Sequence, residues 1–137
     1  MSIYSSPEFE EIWAEVKLAL DWHRDFSLFF VLSQHSLSST ALRQRLQDYL
    51  RAITGPLDWI HPASPADIDQ HLTEQLFARL GQPVWLELGR QDSRGKWDRA
   101  RQQALSLLNR RRSRLETAMH GPLFIQLPED FAAQIVT

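Results

Sequence analysis

The sequence predicts an α/β domain with three layers, in which helices cover both faces of a mostly parallel sheet of four strands or slightly more. Two observations predict this class. Short apolar segments of strand length alternate along the chain with longer segments whose apolar residues recur every three or four positions. Each helix between two strands is too long for a tight turn, so parallel neighbours are the economical arrangement. The predicted element order is αβαβαβαβα.

The four predicted strands are short and mostly apolar. They are 26–32 (FSLFFVL), 57–61 (LDWIH), 84–88 (VWLEL) and 123–127 (LFIQL). The first strand is apolar nearly throughout, which is expected of a strand that helices cover on both sides.

The first two predicted helices flank the first strand. Ser5 with Glu8 resembles a capping box for the first helix. The predicted buried face of that helix is Phe9, Ile12, Trp13, Val16 and Leu20. The second helix is predicted to be capped by residues in 38–40 and to end at Gly55. Its predicted buried face is Leu42, Leu46, Tyr49, Leu50 and Ile53.

Three further helices are predicted in the second half of the chain. One extends from Ser64 to Gly81, one is continuous over about 97–119, and the last begins near Phe131 and stops at Thr137 without a cap. We interpret 1–137 as a single α/β domain. The uncapped end fits either the N-terminal part of a longer protein or a short terminal helix, and the sequence favours neither.

The composition restricts the classes of function. A formal net charge of −2 argues against wholesale binding to nucleic acid or to an anionic membrane. The chain has no cysteine, which excludes disulfides and cysteine-ligated metals. No apolar segment approaches the roughly 18 residues of a membrane span. We therefore expect a cytoplasmic domain without a cofactor.

The segment between the first strand and the second helix is informative because of what it lacks. Residues 33–40 (SQHSLSST) contain neither glycine nor lysine. In nucleotide-binding α/β domains, glycines in this turn let backbone N–H groups surround phosphates, and a lysine completes the site. The segment predicts the layout of such a domain without its phosphate chemistry.

Three parts of the sequence together resemble a known group of proteins. They are the first strand, the third strand with its following polar loop, and a Leu-Asn-x-x-Arg-x-x-Leu pattern ahead of a strand that ends in Leu-Pro. That pattern is formed by Leu108, Asn109, Arg112 and Leu115. In these parts the chain resembles the P-loop-ATPase-like domains of large bacterial signalling and defence proteins of the STAND and tetratricopeptide-repeat type. Because 33–40 lacks the phosphate loop, the resemblance implies a degenerate relative that acts as an adaptor or sensor.

The best candidate for a partner contact is the basic stretch 94–114, which holds eight basic residues and a single acid, Asp98. The predicted contacts are Arg110, Arg111, Arg112, Arg114 and Trp97. The four arginines cannot all share one helix face, since successive residues turn by about 100°. We predict that they meet an acidic partner surface; a solvated helix surface is the plain alternative.

A second candidate site is the carboxyl edge of the sheet, where open α/β sheets bind ligands. Its candidate residues are Ser33, His35, His61, Glu87 and Asp92. They would form an enzyme or ligand site only if their side chains converge around a pocket. The histidines lack the spacing of a metal site and the serines lack the glycines of a nucleophile turn, so we predict no metal ligand and no catalytic residue.

The functional prediction is therefore a non-catalytic interaction domain, whose partner is another protein or other domains of a larger chain. One alternative is an enzyme or small-ligand-binding domain at the carboxyl edge. A second alternative is nucleic-acid binding through the arginine-rich helix, which we favour less because no aromatic residues alternate with the arginines. We expect no membrane partner.

Overall fold

A computed structural model describes residues 7–22, 27–32, 36–53, 55–68, 74, 76, 78, 81–90 and 94–128. The helices are Pro7–Trp22 (α1), Ser36–Ile53 (α2), Lys96–Arg110 (α3) and Arg112–Ala118 (α4). The strands are Ser27–Leu32 (β1), Asp58–Ile60 (β2), Val84–Glu87 (β3) and Pro122–Leu127 (β4). The predicted cap at Ser5, the predicted last helix and most of 69–80 in the helix predicted over 64–81 lie outside the described residues; within that helix, 65–68, 74 and 76 are helical.

The four strands form one all-parallel sheet in the order β1-β4-β3-β2. β1 pairs with β4 along its whole length, from Ser27 opposite Pro122 to Leu32 opposite Leu127. β3 lies on the other side of β4, and the short β2 pairs with β3. The predicted α/β class with a parallel four-stranded sheet is therefore confirmed.

Two hydrophobic cores lie on the two faces of the sheet, because successive residues of a strand point to opposite faces. The first core contains Leu20 of α1, Leu46 of α2, and Trp85 and Phe124 from the sheet. The ring of Phe124 stacks on that of Phe29 at 4.9 Å between centroids.

The second core lies on the opposite face and is larger. It contains Ala104 of α3, Leu115 of α4, Leu86 of β3 and Ile125 of β4. α1 and α2 thus cover one face, and α3 and α4 cover the other, which gives the three predicted layers.

β1 is an edge strand of the described sheet, and one of its sides is incompletely covered. Leu28 and Phe30 pair with Leu123 and Ile125, so they point toward the second core. They nevertheless remain 43% and 39% exposed, whereas their two partners on β4 are buried. The apolar sequence of β1 predicted full cover on both faces, and this part of that interpretation is wrong within the described residues.

The helix predicted as continuous over 97–119 is divided at Arg111. The backbone there has φ −104° and ψ 17°, outside the helical region, although the Arg111 N–H still donates to the carbonyl oxygen of Leu107 at 3.1 Å. The interruption is one residue long, and backbone hydrogen bonds of helical spacing continue across it, from Arg111 to Leu107 and from Leu115 to Arg111. Beyond it, Leu115 and Met119 pack in the second core.

Two predicted buried positions are exposed instead. Ile12 lies about 80° around α1 from the buried Leu20, at the margin of the apolar face. Ile53 is the last residue of α2, where cover by the sheet ends. α2 also begins at Ser36, so 38–40 lie inside the helix and do not cap it.

An ion pair joins α1 to α2 over the first core. The Arg45 guanidinium donates to both carboxylate oxygens of Glu10, at 2.9 and 2.6 Å. These hydrogen bonds lower the pKa of Glu10 below its ordinary value of 4.5 and raise the pKa of Arg45. The contact between the two helices is therefore sensitive to acid.

We expect Glu10→Gln to destabilise the protein slightly at pH 7 and less at pH 3. A carboxyl group whose pKa is lower in the folded state contributes stability above its unfolded pKa, near 4.5, and this contribution is lost as the pH falls through the folded value. Urea denaturation of both proteins at the two pH values measures the difference. A difference in midpoint that is the same at pH 3 and pH 7 would contradict the expectation.

Candidate functional site

Four arginines surround the break between α3 and α4. This arginine surface consists of Arg110, Arg111, Arg112 and Arg114. All four side chains are exposed. Arg112 pairs with Glu116 one turn later, at 2.8 Å, and both partners of that pair are largely exposed. Within the described residues, no carboxylate lies within 4.0 Å of Arg110 or Arg111.

The chemistry of the arginine surface favours carboxylate or phosphate groups. A guanidinium presents a planar set of N–H donors that binds an oxyanion with two parallel hydrogen bonds. Asp98, the acid within the basic stretch, is bound to Arg101 at 2.5 Å and belongs to the other end of α3. Within the described residues, the charges of Arg110 and Arg111 are therefore the two of this surface that no carboxylate within 4.0 Å compensates, according to the ion pairs of that part of the chain.

Trp97, predicted as a further partner contact, lies away from this surface. Its side chain is only 7% exposed and packs in the second core. Thirteen positions of helix separate it from Arg110, which corresponds to about 20 Å at 1.5 Å per residue. The buried ring offers little surface to a partner.

At the carboxyl edge of the sheet, the structure brings two of the predicted residues to one tryptophan. Ser33, His35 and Asp92 lie outside the described residues. The indole N–H of Trp59 donates to Glu87 Oε2 at 3.1 Å, and the His61 ring lies 4.1 Å from the Trp59 ring between centroids. The Arg43 guanidinium lies over the same ring at 3.9 Å.

Sequence reasoning missed Trp59 and Arg43 as members of this group. Trp59 lies in β2 and His61 directly follows that strand, two residues later, and their rings lie side by side. This two-residue spacing is visible in the sequence and could have predicted that the two rings lie together. Arg43 comes from α2, and no local pattern connects it with β2.

Gln126 is a buried polar residue in an otherwise apolar strand, and it was also missed. Its side chain is almost fully buried, and within the described residues its Oε1 accepts no hydrogen bond. The side chain passes so close to Gly89, just after β3, that any Cβ on Gly89 would overlap it. A glycine is therefore required at this position while Gln126 keeps its conformation.

The loop that follows β3 is held in place by Arg101 of α3, whose side chain is almost completely buried. Its guanidinium donates to the carbonyl oxygen of Leu88 at 3.2 Å, to that of Arg90, and to Asp98 Oδ1. Arg90 in turn donates to the carbonyl oxygen of Ala63 at 3.0 Å, which ties the loop to the segment after β2. These hydrogen bonds connect the residues just after β3 to α3 and to the segment after β2.

The described residues contain no cluster of three or more histidine and acidic side chains that could hold a metal ion. None of the described helices has the length and apolar character needed to cross a lipid bilayer.

Comparison with known proteins adds no relative: no protein family, no curated protein and no solved structure matches the chain. The fold itself defines the class, an α/β protein with a four-stranded parallel sheet.

Proposed function

We propose that the chain is a non-catalytic interaction domain that binds an acidic protein surface through the arginine surface. The observation that carries the proposal is the group of four exposed arginines at the α3–α4 break, two of which have no carboxylate within 4.0 Å among the described residues. The finer proposal, based on the resemblance in 26–128, is a degenerate P-loop-ATPase-like module of a bacterial signalling or defence protein.

The position of the arginines supports docking more than turnover. They lie on an outer helical surface above the second core, whereas ligands of open α/β sheets bind at the carboxyl edge. At that edge, Glu87 is bound to Trp59, and the connection after β1 contains no glycine or lysine for a phosphate.

Reversal of two charges tests the proposal. We expect Arg110→Glu with Arg111→Glu to weaken binding of a glutamate-rich peptide by about tenfold or more, because each substitution replaces an attraction of up to about 1 kcal/mol by a repulsion. Isothermal titration calorimetry at low ionic strength measures the change. The matched control is Arg94→Glu with Arg99→Glu, which changes the net charge equally at the far end of the basic stretch.

Two results would count against the proposal. If both double variants lose peptide binding equally, the peptide is attracted by overall charge and not by the arginine surface. Saturable micromolar binding of ATP, ADP or GTP with magnesium would favour a nucleotide-binding function.

The nucleic-acid alternative has its own test. A titration with an oligonucleotide at low salt that shows no binding would exclude it.

A second candidate function is supported by the group around Trp59 and by Gln126. Glu87 and His61 both contact Trp59, and the buried Gln126 Oε1 lies at the same edge of the sheet. A small ligand with hydrogen-bond donors could satisfy that oxygen. Quenching of tryptophan fluorescence by a ligand in the wild type and not in Trp59→Phe would distinguish this function from docking.

A further inference from the structure

α1 carries an acidic stripe on the side that faces away from the sheet. The stripe consists of Glu11, Glu15 and Leu18, which lie within about 60° of one another around the helix axis. All three are exposed, Leu18 by 60%. The buried Leu20 lies on the opposite side of α1, in the first core.

The charges of the acidic stripe are available to a partner. Two other acids of α1 are already engaged: Glu10 binds Arg45, and Asp21 accepts a hydrogen bond from the Tyr49 hydroxyl at 2.6 Å. Glu11 and Glu15 have no cationic side chain within 4.0 Å in the part of the chain that the structure describes.

The acidic stripe and the arginine surface lie on opposite faces of the sheet. α1 packs on the first core together with Trp85 and Phe124, whereas α4 packs on the second core together with Leu86 and Ile125. The sheet separates the two surfaces within one molecule, so only two different molecules can bring them together.

We propose that the acidic partner of the arginine surface is the acidic stripe of a second copy of this chain, an inference that rests on the proposed function. The charges are complementary, and Leu18 adds an apolar residue against which the methylene stems of the arginines pack. In such a pair, one copy still has an unused stripe and the other copy still has an unused arginine surface. The contact is therefore head-to-tail and adds further copies without closing as a two-fold dimer.

Sedimentation velocity at low ionic strength tests this inference. We expect the wild-type sedimentation coefficient to rise steadily with protein concentration and to fall back as salt is added. We expect Glu11→Lys with Glu15→Lys, and separately Arg110→Glu with Arg111→Glu, to lower self-association by about tenfold or more. Asp48→Lys with Glu74→Lys changes the same number of exposed acids elsewhere and should leave it unchanged.

Mixtures of the variants provide the decisive measurement. Neutral variants are used in this mixture, because charge-reversed surfaces would attract each other and create a second contact. The Arg110→Gln, Arg111→Gln protein keeps its stripe, and the Glu11→Gln, Glu15→Gln protein keeps its arginines. Their equimolar mixture should form dimers that do not grow, because one intact contact remains. A wild type that stays monomeric but binds the glutamate-rich peptide through Arg110 and Arg111 would overturn this inference and leave the proposed function standing. Self-association that survives both double variants would overturn this inference, and peptide binding that survives Arg110→Glu with Arg111→Glu would overturn the proposed function.

Discussion

Arg101→Ala is expected to lower the free energy of unfolding by about 3 kcal/mol or more, since hydrogen bonds from a charged donor contribute roughly 1.5–3 kcal/mol each. The buried guanidinium donates to two backbone carbonyls and to Asp98, and its removal leaves the carbonyl of Leu88 without this donor. It also leaves a cavity beside the second core. The loop after β3, which contains Gly89, should loosen as a result.

Chemical denaturation followed by tryptophan fluorescence measures this effect. Arg99→Ala is the matched control, because Arg99 lies on the same helix with an exposed side chain and should change stability by no more than about 0.5 kcal/mol. Arg101→Lys should recover only part of the loss, since an ammonium group cannot reproduce the forked geometry. Equal stability of Arg101→Ala and Arg99→Ala would show that the guanidinium does not hold the loop.

Gly89→Ala is expected to destabilise the protein by about 2 kcal/mol. The added methyl group would overlap the terminal amide of Gln126, so this buried side chain must change its conformation inside the core. Overpacking of this kind typically costs about 1–3 kcal/mol. Gly81→Ala is the control, because a Cβ at Gly81 would meet no atom within 4 Å.

A double-mutant cycle identifies the cause of this loss. Gln126→Ala removes the side-chain atoms that the methyl group of Gly89→Ala would overlap. Gly89→Ala should therefore cost little stability in a protein that already carries Gln126→Ala. The expected coupling is at least about 0.5 kcal/mol, which is typical of residues in contact. If Gly89→Ala destabilises both backgrounds equally, the close approach of Gln126 is not the reason.

The main architecture followed from the sequence because it depends on local patterns. Alternating strand and helix segments required a parallel sheet, and all four predicted strands exist within a few residues of their predicted bounds. The strand order did not follow, since pairing depends on contacts between distant segments. For the same reason β1 was interpreted as fully covered, although Leu28 and Phe30 lie at an edge.

The candidate site was predictable only in part. Three consecutive arginines and a fourth nearby are visible in any reading of the chain, and their exposure agrees with a surface role. Arg101 could not be separated from its basic neighbours, because its burial depends on the path of the loop after β3. Gln126 lies in an otherwise apolar strand, and the sequence does not show that its side chain passes close to Gly89.

The margin of the sheet at β1 has a practical consequence for the isolated chain. In natural sheets, a lysine, a proline or a β-bulge in an edge strand commonly prevents pairing with a strand of another molecule. Residues 27–32 contain no lysine or proline. Its backbone register with β4 is also uninterrupted. At high protein concentration, β1 is therefore a site on the described surface where a strand of another molecule could pair and fibrous precipitation could begin.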